Sequence, residues 1–276
     1  LGDIVSELIK LKSVYEDDIT FEVIGTLSCM ALDWRMCGEK IVEWAASLIK
    51  DRGLKELLPL LQNAVKVSYD SLAECFANRI RKLMDSGDPA LVADSLEAMV
   101  NGGILVETIP SSLISVLRTA PFATVASVVA GLGERGVEGD DLKACASYIG
   151  QPAIEALPPA TLLRLTVAAT KSAVVSEAAL DPVASAAALV LNAFTMEDAS
   201  KLLLAVAKAK SGSEGSGVAD LYQRAAEVIP PKLSELSSTQ LIKVVLAVTK
   251  VEACRPLLES AAREAIARVS DIPPSQ

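Results

Sequence analysis

Six cations are the residues whose type and spacing could do chemistry: Arg164 and Lys171, Lys201 and Lys208, Lys243 and Lys250. The members of each pair stand seven positions apart, which on an α-helix puts both on nearly the same face. If the three helices lie side by side, the six charges form a ladder. Such a ladder suits a phosphate backbone or an acidic partner helix, through counterion release and electrostatic steering. The alternative is a solvated helix edge, because lysine is the usual exposed residue of an alanine-rich helix and its stem covers apolar surface. Two facts favour the edge: the chain carries a net charge of −9, and no aromatic stacking platform accompanies the cations. One unit earlier the matching positions hold Ser127 and Glu134, so the ladder is confined to the C-terminal three units.

Catalytic chemistry is poorly provided for. The chain has no histidine, which excludes Ser-His-Asp and Cys-His nucleophiles and His-ligated metals within it. Its five cysteines (Cys29, Cys37, Cys75, Cys145, Cys254) are odd in number and lack CxxC spacing. They read as free, buried thiols of a protein in a reducing, intracellular compartment. Gly131-Leu132-Gly133-Glu134-Arg135-Gly136 imitates a phosphate-binding glycine loop but falls at the end of a helix, where glycine terminates it. Glu16-Asp17-Asp18 and Glu138-Gly139-Asp140-Asp141 read as helix-start carboxylates favoured by the dipole, with cation binding as the alternative. Trp34 and Trp44 read as core anchors, with an interface role as the alternative. No enzyme activity, metal or cofactor is expected.

The elements that must position the cations are repeats. Hydrophobic residues make up 51% of the chain but aromatics only 4%, so the apolar mass is Ala, Val and Leu, which suits helices packed closely on helices. The expected class is all-α. Val92–Asn101, Val125–Glu134, Leu162–Lys171, Ala199–Lys208 and Leu241–Lys250 superimpose, their first positions recurring at 92, 125, 162, 199 and 241. The second helices repeat too, because Leu142–Leu157 recurs as Leu221–Leu236, an offset equal to that between Leu162 and Leu241. A period of this size predicts a right-handed α-solenoid of two-helix repeats, in which each unit buries the open side of the last. The array is assigned to residues 86–276, opening at Asp88-Pro89, where Asp caps and Pro takes the first helical position. Residues 1–85 form an irregular helical N-terminal module. Its helices are placed at Ile4–Val14, Phe21–Met36, Glu39–Asp51, Leu54–Val67 and Tyr69–Met84, with Gly53 closing the third. The run from Lys210 to Gly217 reads as a flexible turn. The most apolar stretch, Val183–Phe194, follows Asp181-Pro182 and is too short to cross a bilayer, so it reads as a buried core helix.

The two-helix unit, with Leu-Leu-x-x-Ala-x-Ala-Lys in its first helix and a closing Leu in its second, resembles the heptatricopeptide-type repeat of FAST-kinase-like and RAP-domain organellar proteins. The resemblance rests on Thr239–Lys250 and its counterpart Ala199–Lys208, and spans about Ser86 to Ser270, with no RAP-like segment after the last repeat. It implies a mitochondrial matrix setting. The function expected is a non-enzymatic scaffold or adaptor among the protein subunits of a larger assembly. The alternative is an organellar RNA-binding factor or mitochondrial ribosome component that uses the basic ladder.

Overall fold

A computed structural model describes residues 38–66, 68, 70–84, 87–104, 117, 119–149, 152–209, 215–249 and 251–268. The helices expected at Ile4–Val14 and Phe21–Met36, with Cys29, Cys37, Trp34 and the Glu16–Asp18 cluster, lie outside these residues. All regular structure among the described residues is helical, α or 3-10. The α-helices are α1 (Gly38–Leu48), α2 (Leu54–Lys66), α3 (Asp70–Leu83), α4 (Pro89–Asn101), α5 (Phe122–Glu134) and α6 (Asp140–Ile149). They continue with α7 (Pro159–Lys171), α8 (Ala173–Leu189), α9 (Met196–Lys208), α10 (Ser216–Val228), α11 (Ser238–Val248) and α12 (Arg255–Ala267). No described helix is long and apolar enough to cross a membrane.

The expected period is present as helix starts. α4, α5, α7, α9 and α11 begin at Pro89, Phe122, Pro159, Met196 and Ser238, in the same steps as the sequence pattern. Burial follows the same register. Val125, Leu162, Ala199 and Leu241 are buried, as are Val128, Leu165, Leu202 and Val244, and Leu132, Ala169, Val206 and Val248. These three columns are spaced i, i+3, i+7 on each helix, the stripe an amphipathic helix turns to a core. The second helices end alike: a 3-10 turn (Pro152–Ala156, Leu191–Ala193, Pro230–Glu235) precedes a buried Leu157, Phe194 or Leu236. The prolines differ in register for a reason now visible. Pro158 and Pro159 start α7, whereas Pro230 and Pro231 open the 3-10 turn that prolongs α10.

Contacts divide the chain into residues 1–124 and 125–276, so the break at Asp88-Pro89 is a helix start within the first unit. There Asp88 accepts from the N–H groups of Ala90 and Leu91, with Pro89 at the first helical position. In this unit α2 packs on α3 and on α4, and α1 on α3. Ala45, Leu48, Ile49, Leu57, Leu61, Phe76 and Ile80 are in its core. In the second unit α7 packs on α8 and α9, and α9 on α11. Likewise α6 packs on α8, α8 on α10, and α10 on α12, while α11 packs on α12. First helices thus neighbour first helices, and second helices neighbour second helices.

Three expectations need correction. Gly53 does not close α1. It opens α2, its carbonyl accepting from Leu57 N–H at 3.1 Å while its own N–H donates to the Glu56 carboxylate at 3.0 Å, half of a capping box. α8 does not start after Pro182 but runs through it from Ala173. Pro182 removes one backbone donor, at a cost of about 3 kcal/mol in an isolated helix. Here Val175, Ala179, Leu180, Val183, Ala184 and Ala187 are all buried, and contacts with α6, α7 and α10 hold the helix together. Finally, Gly215-Ser216-Gly217 is not part of a flexible turn. Ser216 and Gly217 form the first turn of α10, and a Cβ on Gly217 would sit 2.2 Å from the Asp181 carbonyl oxygen. The glycine is there because two helix backbones touch.

The Gly131–Gly136 terminus is as expected. Gly136 adopts φ +72°, its N–H donates to Gly133 O at 2.8 Å, and Val137 N–H donates to Leu132 O at 3.2 Å. This is a Schellman closure. Gly103, at the matching place after α4, repeats it with φ +78°, its N–H donating to Val100 O and the Ile104 N–H to Met99 O.

Candidate functional site

The ladder positions fall on α7, α9 and α11, and the lateral register that would align them is visible one unit earlier. Arg164 reaches back to the two residues that occupy its column's places on α5. Its guanidinium donates to Ser127 Oγ at 3.4 Å and pairs with the Glu134 carboxylate at 3.3 Å. The same contact that aligns the column also consumes its first charge, for Arg164 is half-buried against an acid. Lys201 is likewise engaged, 2.7 Å from Glu197 and 3.7 Å from Asp198 in the first turn of its own helix. The hydrogen bond that Lys201 donates to Glu197 raises the lysine's pKa, and the charges of Glu197 and Asp198 act in the same direction.

Lys171 and Lys208 are the last residues of α7 and α9, and both are exposed. A cation there faces the negative end of the helix dipole, a structural use that requires no ligand. Lys243 is half-buried in the middle of α11, and among the described residues neither it nor Lys208 forms an ion pair. Lys250 lies outside the described residues. Of the described positions, Arg164 and Lys201 are paired with acids, whereas Lys208 and Lys243 are not.

Polar bonds between successive hairpins are the feature that sequence reasoning missed. Glu138, expected to serve the start of its own helix, instead accepts from Ala173 N–H at 2.7 Å and Val174 N–H at 3.1 Å, and from Ser172 Oγ at 3.3 Å. It caps α8 from the preceding loop. Asp181 does the same for α10, accepting from Gly217 N–H at 2.7 Å and Val218 N–H at 3.1 Å. Each carboxylate satisfies donors that the helix start leaves unbonded. Further along, Cys254 donates through Sγ to Tyr222 O at 3.3 Å, and Arg268 donates to Leu236 O at 2.7 Å and Ser234 O at 3.1 Å. The one signal in the sequence was that Asp181 and Gly217 stand close to one repeat step apart.

Cys75, Cys145 and Cys254 form no disulfide. Burial raises the Cys75 thiol above its usual pKa and pushes Cys254 up to about 11 and Tyr222 to about 12. Among the described residues no group of three His, Cys, Asp or Glu is placed to hold a metal. A shallow groove of about 260 Å³ in the first unit is lined by Gln62, Val65, Asp94, Glu97, Ala98 and Asn101. It is lined by carboxylates and amides and holds no cation. No protein-family model matches the chain, and comparison with curated proteins finds no match.

Proposed function

We propose that the chain is a helical-repeat scaffold or adaptor, without enzymatic activity, that works among the protein subunits of a larger assembly. The observation that carries this reading is the matched alternation of the second unit. Helices that start at similar steps bury equivalent side chains and pack first on first and second on second. Extended as a right-handed α-solenoid, such an array offers surface rather than a pocket for binding. The thiols outside any disulfide and the resemblance to organellar repeat proteins support a reducing compartment, the mitochondrial matrix.

Mass spectrometry of what co-purifies with the endogenous protein is the test. A reproducible set of protein subunits is expected, and an isolated, monodisperse chain with no companion would overturn the reading. The RNA-binding alternative draws on Lys208 and Lys243, which form no ion pair among the described residues. Under it, changing Lys201, Lys208, Lys243 and Lys250 to Glu would abolish RNA retention and flatten its salt dependence. Unchanged retention would remove it.

A further inference from the structure

We draw no further inference here: the strongest candidate, the shallow groove between α2 and α4 that Asp94 and Glu97 line, is an acidic cluster with no second feature of the structure to say what ligand it would take.

Discussion

The two units treat their buried polar groups differently. Ser95 in α4 falls in the column that elsewhere holds Val128, Leu165, Leu202 and Val244, and it is fully buried. Its hydroxyl and the Arg79 Nε are the two buried side-chain polar atoms without a hydrogen-bond partner among the described residues, and both are in the first unit. In the second unit Thr166 is equally buried but donates to Leu162 O at 2.9 Å, and Ser200 donates to Glu197 O at 2.7 Å. The second unit also carries the hairpin-to-hairpin bonds of Glu138, Asp181, Cys254 and Arg268. An apolar stripe by itself tolerates sliding by a turn, since Ala, Val and Leu replace one another along it. A carboxylate that must meet two particular N–H groups does not. The comparison teaches that in this chain apolar burial drives the helices together and polar bonds fix which turn meets which.

The largest expected effect is at the closest of these meetings. Gly217→Val would drive a branched side chain into the Asp181 carbonyl and Ser185, and a loss of about 3 kcal/mol is expected, since backbone cannot give way as a flexible side chain can. Urea unfolding monitored by circular dichroism measures it. A loss below half that size would show that α10 can shift on α8 and that the contact does not set the register.

Alkaline pH should weaken the second unit next. Cys254 and Tyr222 are raised from 9.0 to about 11 and from 10.0 to about 12. Between the ordinary and the raised values the unfolded chain gives up protons that the folded chain retains, so stability falls as pH rises from about 9 to about 12. Thermal melts of the wild type should drop through this range, and Cys254→Ala with Tyr222→Phe should flatten the drop. An identical slope in the double variant would remove burial of these groups as its cause.

Asp181→Ala is expected to cost about 1 to 2 kcal/mol, because it leaves the Gly217 and Val218 N–H groups unbonded at a helix start. Asp181→Asn, which keeps an acceptor, should recover part of it. Equal losses in the two variants would mean that charge rather than hydrogen bonding does the work.

The smallest effect has the opposite sign. Ser95→Ala removes an orphaned hydroxyl from an apolar column and is expected to stabilise the chain by about 1 kcal/mol. A destabilisation in the urea midpoint would mean that the hydroxyl has a partner after all, and the contrast between the units would narrow.

Much of this was legible before any coordinates. Helix class follows from Ala, Val and Leu at i, i+3, i+7, and superimposing the segments that open at Val92, Val125, Leu162, Ala199 and Leu241 gives the spacing of the first helices, each of which starts three residues earlier. Asp88-Pro89 and Gly136 announce themselves because their signals are local, a side-chain cap and a left-handed turn. Gly53 misled because a glycine between two helices can end one or begin the other, and the choice depends on Glu56 reaching back. Phe194 could have been found from Leu157 by the repeat step, yet its aromatic ring hid it in a column of leucines.

The sequence by itself determined the helical class, the stripe that each first helix buries and how far apart the units recur, because these depend on neighbours within a turn or two. Only the tertiary structure decided that Arg164 answers Glu134 and that Glu138 and Asp181 cap helices not their own. Those outcomes join residues far apart in the chain, and no pattern within one helix encodes them.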